Sequence, residues 1–341
     1  MFQRIIVPLD GSRCAERAIP VAATLARASQ GSIVFLRVVV PGHEIGSYGA
    51  EPAVGVVPSQ LEINIAEADQ YLSSVATIFR DYLTGIKIET EVETGKAAST
   101  ILSAAGFEHG DLIVLCSHGE TSLKRWIFNS IAVQAARHSP VPVLILNEHD
   151  TVHPLEDLAR PLQVLVPLDG STLAETALTP ALQLMAALPL SGTSTLHLLR
   201  VVNDVPVFNG SMRGQAQVDT FISKRECTEA QIYLDSVIKR LQEEALGKTQ
   251  LSLTTSVIVS PDVPGTIIRQ AEEEHCDLIA LATHGRSALM RALMGSVTER
   301  VIGHTKLPLL VTRPQEPIVE NKEADDPVND EKDLPSWVGL L

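Results

Sequence analysis

Two short segments combine residue types that bind anionic ligands. The run Thr283–Gly285 ends an apolar stretch, nine residues follow it, and Gly295–Thr298 then opens a helical pattern. A helix N-terminus offers unpaired N–H groups and a partial positive charge, and a glycine lets a ligand approach the backbone closely. The spacing therefore predicts a phosphate site formed by backbone N–H groups, with the hydroxyls of Ser296 and Thr298 as further donors.

The same chemistry-bearing segments occur twice along the 341 residues. Pro8–Ser12 returns as Pro167–Ser171, each time after a short β-branched run. The offset is 159 residues at this motif and 166 residues where Ser130 returns as Ser296. A repeat of about 150 residues indicates tandem duplication of a domain, and each copy is long enough to bury its own core.

Apolar periodicity predicts the same alternating elements in both copies. In the first copy we expect strands at Arg4–Leu9, Ser32–Val40, Ile86–Glu93, Asp111–Cys116 and Val141–Leu146, and helices at Ala15–Ala28, Leu61–Leu83, Ala97–Phe107 and Ser130–Arg137. In the second copy we expect strands at Leu162–Leu168, Thr195–Asn203, Leu251–Val259, Asp277–Ala282 and Leu307–Thr312, and helices at Leu173–Ala187, within Gln215–Leu246, and at Gly265–His275 and Ser296–His304. This order predicts an α/β fold of two tandem doubly wound parallel-sheet domains. Ligands of such sheets bind beyond the carboxyl ends of the strands.

The repeat also predicts the domain boundaries. Residues 1–147 form the first domain, 148–161 a linker, 162–313 the second domain and 314–341 an acidic tail. The tail holds eight acidic residues against two lysines, a composition typical of disorder. Its apolar end around Trp337 is either a frayed terminus or a segment docked on one of the domains.

Composition excludes several classes of function. The formal net charge of −14 argues against nucleic acid as a partner, because such proteins need a basic face. No apolar run approaches the length of a membrane span, and Met1–Arg4 leads into a strand rather than a signal peptide. The cysteines Cys14, Cys116, Cys227 and Cys276 lack metal-binding or redox spacing, so we expect reduced thiols in a soluble, cytoplasmic protein.

Together with Asp169 after the first strand, the segments around Gly285 and Gly295 make the chain resemble the universal stress protein family. ATP-binding members of that family have Gly-x-x-Gly, nine residues, and then Gly-Ser or Gly-Thr. The resemblance implies ATP or a related adenine nucleotide as ligand, with Mg²⁺ as a candidate companion and Ala282 in place of the first glycine. It places the nucleotide site of the second copy at Pro167, Leu168, Asp169, Val201, Ala282, His284, Gly285, Arg286, Gly295, Ser296, Val297 and Thr298.

The first copy departs further from the family pattern. Its corresponding site residues are Asp10, Val38, Gly119, Asn129 and Ser130. Asn129 replaces the last glycine and Cys116 the first. If that last glycine supplied only a positive φ, Asn129 would be tolerated; if it supplied clearance for a phosphate, the amide would fill the space. We expect the first copy to be the impaired one.

The sequence leaves alternatives open. Asp10 and Asp169, or the serines two residues on, could be helix N-caps, while His118 and His284 are more typical of turns than of catalysts. Phosphoryl transfer needs a positioned base, and none is evident, so we predict a stress-related binding module without efficient turnover and assign no catalytic residue. The alternatives are a slow ATPase using Asp169 and His284, or a ligand-free scaffold in which Val141–Leu146 pairs with Leu307–Thr312. Homodimer formation is a further open alternative.

Overall fold

The computed structural model describes residues 2–41, 59–117, 131–147, 161–188, 192–203, 215–245, 251–284 and 294–314. The first copy comprises β1 (Arg4–Pro8), α1 (Arg13–Glu16), α2 (Ala18–Ser29), β2 (Ser32–Val39), α3 (Gln60–Ile78), α4 (Arg80–Leu83), β3 (Lys87–Thr94), α5 (Ala97–Phe107), β4 (Leu112–Ser117), α6 (Ile131–His138) and β5 (Val143–Asn147). The second copy comprises β6 (Gln163–Pro167), α7 (Thr172–Glu175), α8 (Leu178–Ala187), β7 (Ser194–Val202), α9 (Gln215–Ala245), β8 (Leu251–Val259), α10 (Val263–Glu273), β9 (Leu278–Ala282), α11 (Ser296–His304) and β10 (Leu309–Thr312).

The first helix of each copy differs from the prediction because it is broken. The predicted helix Ala15–Ala28 is α1 followed by α2, and the predicted helix Leu173–Ala187 is α7 followed by α8. Pro20 and Pro180 are each the third residue of the second piece. Since proline has no N–H, it cannot bond to the carbonyl four residues earlier, and the helix restarts around it.

The strands form one ten-stranded sheet in the order β3-β2-β1-β4-β5-β10-β9-β6-β7-β8. Within each copy all strand pairs are parallel, as predicted. The copies join through β5 and β10, which pair in the antiparallel direction. The predicted pairing of these two strands is therefore confirmed. Because each is also paired within its own copy, neither has a free edge for a second chain.

The junction has approximate two-fold symmetry. Leu144 pairs with Leu310, which is its own repeat equivalent 166 residues later, and both side chains are fully buried. The amide Nδ2 of Asn147 donates to the carbonyl of Leu307 at 3.1 Å. An ion pair of 3.2 Å between Arg137 and Glu299 links α6 to α11. The two copies thus share one continuous, packed interface.

Helices cover both faces of this sheet. A core including residues of α2, α3, α8 and α9 lies on one face, and a core including residues of α5, α6, α10 and α11 lies on the other. Each core contains residues of both copies. The strands of one copy run opposite to those of the other. The carboxyl ends of the first copy's strands therefore lie at one end of the strand direction, and those of the second copy's strands lie at the other end. Among the described helices, none has both the length and the apolar sequence required to cross a bilayer.

We expect truncation at the junction to destabilise the whole chain. Leu144→Ala removes a fully buried side chain from the pair with Leu310, and such a cavity costs about 2–5 kcal/mol of unfolding free energy. The measurement is urea unfolding followed by circular dichroism. The control Leu61→Ala removes the same atoms from a partly exposed position and is expected to cost less than about 1 kcal/mol. Equal losses in the two variants would contradict the prediction.

A second prediction concerns pH. His197 lies in β7, buried, with Nδ1 and Nε2 each 2.8 Å from the hydroxyls of Thr254 and Ser256. Burial lowers its pKa, against a smaller opposing effect of Glu274. The unfolded chain therefore binds the proton first, so this contribution to stability is complete above about pH 6.5 and is lost as the pH falls below it.

His197→Gln removes this titration and can still hydrogen-bond to both hydroxyls. Between pH 7.5 and 5.5 we expect the parent to lose more unfolding free energy than the variant. Urea unfolding at the two pH values measures this difference. Parallel losses in the two proteins would show that His197 is not responsible.

Candidate functional site

A cleft in the second copy lies at the carboxyl ends of β6, β7 and β9, beside the start of α11. Its volume is about 150 Å³, below the roughly 300–1,000 Å³ of complete small-molecule sites. Residues 285–293, which connect two of its walls, are outside the described residues. Its described lining consists of Pro167, Leu168, Asp169, Ala174, Leu199, Arg200, Val201, Val263, Ile267, Leu281, Ala282, Thr283, His284, Gly295, Ser296, Val297, Thr298 and Val301.

The structure thus brings together ten of the twelve residues predicted for this site. The other two, Gly285 and Arg286, lie outside the described residues. In the first copy, Asp10 lies two residues after the end of β1, and Val38 is the next-to-last residue of β2. Gly119, Asn129 and Ser130 of that copy are likewise outside the described residues.

The turn after β6 is held by Asp169. One carboxylate oxygen, Oδ1, accepts from the N–H of Ser171 at 2.9 Å and from its hydroxyl at 2.5 Å. Gly170 between them has φ of +85°, a value that favours glycine. The Ser171 hydroxyl oxygen in turn accepts from the N–H of Ala174 at 3.2 Å and caps α7. The serine is therefore the N-cap, and the aspartate fixes the serine.

The first copy has the same turn. Oδ1 of Asp10 accepts from the N–H of Ser12 at 2.9 Å, and the hydroxyl oxygen of Ser12 accepts from the N–H of Ala15 at 3.1 Å. The predicted N-cap at Ser12 is confirmed. Asp10 is exposed, whereas Asp169 is half-buried at the cleft. Since both copies retain this turn, it does not by itself distinguish their chemistry.

The backbone of Val201 faces the open end of β6. Successive residues of a strand direct their N–H and C=O groups to alternate neighbours. The carbonyl of Leu199 accepts from Leu168 on the β6 side, and the carbonyl of Val202 accepts from Ser260 on the β8 side. Val201 therefore directs its polar groups to the β6 side, beyond Pro167, where β6 ends. This places a donor and an acceptor beside each other at the cleft.

The start of α11 has no capping side chain. Gly295 is the N-cap and offers none, whereas α7 and α10 of the same copy are capped by Ser171 and Asp262. Among the described residues no side chain caps the first N–H groups of α11, which are open to water or a ligand, and Ser296 and Val297 beside them line the cleft. This arrangement is compatible with the anion site predicted from the spacing, which stays a prediction.

Gly295 is required for close approach and not for an unusual φ. Its φ is −59°, which any residue can adopt. Its N–H donates to the carbonyl of Thr283 at 2.8 Å, and a Cβ added to it would lie 3.1 Å from that oxygen. The explanation by a positive φ is therefore wrong for Gly295, whereas clearance for a phosphate stays a prediction.

Thr298 and Ala282 differ in detail from expectation. The hydroxyl of Thr298 donates to the carbonyl of Ala282 at 2.8 Å in a buried position. Its proton is therefore used within the protein, and the expectation of a hydroxyl donor holds geometrically only for the exposed Ser296. Ala282, which stands in place of the family's first glycine, is the last residue of β9 and pairs with Thr312. A methyl group fits a strand at this point without strain.

His284 carries a buried polar atom with no partner. Its Nδ1 is 2.8 Å from the hydroxyl of Thr283, which fixes the ring. Its Nε2 is buried and makes no hydrogen bond with any residue that the structure describes. Because a buried unsatisfied polar atom is costly, this nitrogen is suited to a ligand atom or an ordered water in the cleft.

Sequence reasoning missed Arg200. Its Nη1 donates to the carbonyl of Leu168 at 3.3 Å, and the residue lines the cleft. In the first copy Nη1 of Arg37 donates to the carbonyl of Leu9 at 3.1 Å. The tripeptide Leu-Arg-Val occurs at both positions, so comparison of the two copies was the signal that could have identified this residue.

Three glutamates of the first copy form a carboxylate cluster outside the cleft. Glu89, Glu91 and Glu108 in the first copy bring three ligand atoms within 4.8 Å of one another. Arg4 donates to Glu89 at 2.6 Å and also to Glu108. Burial and the neighbouring Glu108 raise the pKa of Glu91 to about 7. Arg4 and Lys87, each 2.6 Å from Glu89, balance part of the negative charge of this cluster.

Comparison with known proteins assigns the family. The sequence model of the universal stress protein family matches residues 1–147 and 162–313. A curated universal stress protein of Mycolicibacterium smegmatis is 23% identical over 312 residues, covering 91% of this chain and 97% of that protein. A solved universal stress protein of Archaeoglobus fulgidus aligns with a TM-score of 0.59 at 20% identity, covering 91% of this chain and 96% of that one. A solved Pseudomonas aeruginosa protein also aligns at a TM-score of 0.59 with 17% identity, covering 92% and 93% of the two chains.

We expect the buried Thr298 hydroxyl to stabilise the junction of α11 with β9. Thr298→Val keeps the shape of the side chain but leaves the carbonyl of Ala282 without this donor, at a cost of about 1–3 kcal/mol of unfolding free energy. Urea unfolding measures the loss. The control Ser296→Ala removes an exposed hydroxyl of the same helix and should change stability by less than about 0.5 kcal/mol. A neutral Thr298→Val variant would disprove the role given to this bond.

Proposed function

Because this chain belongs to the universal stress protein family, we propose that its second copy binds ATP or a related adenine nucleotide in the cleft at β6, β7 and β9. The nucleotide alters the shape or the partners of the chain, which acts as a stress-related binding module. The uncapped N-terminus of α11, open to the cleft, is the observation that carries this proposal.

The polar side of the cleft suits a polyphosphate. The N–H groups at the start of α11 and the exposed hydroxyl of Ser296 supply donors. The unpartnered Nε2 of His284 lies in the same lining. Gly295 keeps this side free of a Cβ, and the helix dipole adds a favourable field of about 0.3–1 kcal/mol per interaction. Backbone donors matter here because the net charge of the chain is −14.

The apolar side of the cleft suits a base. Val263, Ile267 and Leu281 contribute aliphatic surface to the lining. The N–H and C=O of Val201 lie beside them, directed past the end of β6, and such a donor–acceptor pair is complementary to the edge of adenine. The specificity of the site would then come from the backbone rather than from a charged side chain.

The carboxylate of the lining would repel the phosphates of a nucleotide, and a bound cation would offset this repulsion. Arg200 is the arginine among the described lining residues, and Asp169 is the carboxylate. Oδ1 of Asp169 is engaged by Ser171, which fixes the orientation of the carboxylate towards the cleft. Mg²⁺ held between this carboxylate and the phosphates would relieve their mutual repulsion.

Equilibrium dialysis of the full chain against ATP and Mg²⁺ tests the proposal. We expect a single nucleotide to bind per chain, in the second copy. Free phosphate measured in the same samples separates binding from slow hydrolysis, and we expect the nucleotide to be recovered intact. No binding at millimolar ATP would overturn the proposal.

Exchange of residues between the copies provides the sharper test. Gly295→Asn places the first copy's residue in the second copy, where its Cβ would meet the carbonyl of Thr283 at 3.1 Å and its amide would occupy the approach to α11. We expect at least a tenfold rise in Kd, about 1.4 kcal/mol. The control Gly106→Asn makes the same change where a Cβ meets no atom within 4 Å. Unchanged affinity in Gly295→Asn would exclude α11 from the site.

A further inference from the structure

Two cysteines distant in sequence meet in the first copy. Cys14 lies in α1 and Cys116 in β4, and their sulfur atoms are 3.1 Å apart. Neither is in a disulfide. We propose that Cys14 and Cys116 form a reversible disulfide, which makes the first copy a site of thiol oxidation.

The surrounding structure favours closure of this bond. The turn that leads into α1 is fixed by Asp10 and by the Ser12 cap, and α1 packs against β4. Bringing the sulfur atoms to bonding distance requires a shift of about 1 Å. We expect rotation of the two side chains to supply this shift.

The difference in exposure between the two thiols determines which of them reacts first with an oxidant. Cys116 is partly exposed, whereas Cys14 is buried. With a small-molecule disulfide such as oxidised glutathione as oxidant, the Cys116 thiolate attacks one sulfur atom and releases one glutathione. The Cys14 thiolate then attacks the Cys116 sulfur and releases the second. The protons of the two cysteine thiols end on the two glutathione thiols, and the protein loses two electrons to the oxidant.

The remaining cysteines lack this arrangement. Cys276 is buried, and burial raises the pKa of its thiol to about 12. Cys227 lies on α9 and is partly exposed. Because the attacking species is the thiolate, Cys276 is poorly reactive, and Cys227 serves as the exposed comparison.

The second copy has lost or never acquired the pair. The repeat equivalents of Cys14 and Cys116 are Leu173 and Ala282, and Ala282 lines the nucleotide cleft proposed above. The first copy thus has a thiol pair where the second has apolar side chains. The oxidation proposal does not rest on nucleotide binding, since it concerns the other copy and a different reaction.

The test uses the reduced full-length chain incubated with oxidised glutathione, then alkylated and weighed intact. Alkylation in denaturant should label four thiols before oxidation and should no longer label Cys14 and Cys116 afterwards, with the loss of two hydrogen atoms in forming their bond and recovery on addition of dithiothreitol. Peptide mapping without reduction should find Cys14 linked to Cys116. Retention of all four thiols, a different linkage, or a bond between two chains would overturn the proposal.

Three cysteine variants complete the test, and two of them introduce the residue that the second copy has at the equivalent position. Cys116→Ala should abolish the intramolecular disulfide, and Cys14→Leu should stop the reaction at a glutathione adduct on Cys116. Cys227→Ser should still form the Cys14–Cys116 bond. Formation of an intramolecular disulfide in Cys14→Leu would also contradict the proposal. Should either variant fail to fold, the peptide map of the unaltered chain decides the question.

Discussion

The pairing of β5 with β10 is the interaction on which the rest of the structure depends. Two strands that would each form the exposed edge of a five-stranded sheet cover one another, which removes the unpaired N–H and C=O groups of both edges. The Leu144–Leu310 pair lies at the centre of this junction. The hydrophobic cores on the two faces consequently extend across both copies instead of stopping at a boundary.

The antiparallel direction of that pairing separates the two sites. All strands of one copy run opposite to those of the other. Ligands of parallel sheets bind at the carboxyl ends of the strands, and these ends lie on opposite sides of the molecule in the two copies. The two sites can therefore diverge in chemistry without steric interference. The second copy has a cleft with an uncapped helix N-terminus. The first copy has the adjacent thiols of Cys14 in α1 and Cys116 near the end of β4.

The features retained in both copies are those that hold the loops in place. The Asp-Gly-Ser turn, with its glycine at φ of +85° and its serine cap, is the same in each. So is the arginine that bonds the carbonyl of the residue before the aspartate. A tyrosine further supports each turn, with Tyr71 donating to Glu16 and Tyr233 to Glu175. Burial raises the pKa of both phenols, which keeps them as donors.

The sequence by itself determined the duplication, the strand and helix series, the Ser12 cap and most residues of the cleft, because these follow from periodicity, turn chemistry and the rule that sites lie at strand ends. The predicted continuous helices missed the breaks at Pro20 and Pro180, although proline acts locally and signals such a break in the sequence. Only the tertiary structure decided the bond of Thr298 to Ala282, the contact of Arg200 with Leu168 and the approach of Cys14 to Cys116. Each of these joins residues on different elements, and their distances depend on how helices pack against the sheet, which no local pattern encodes.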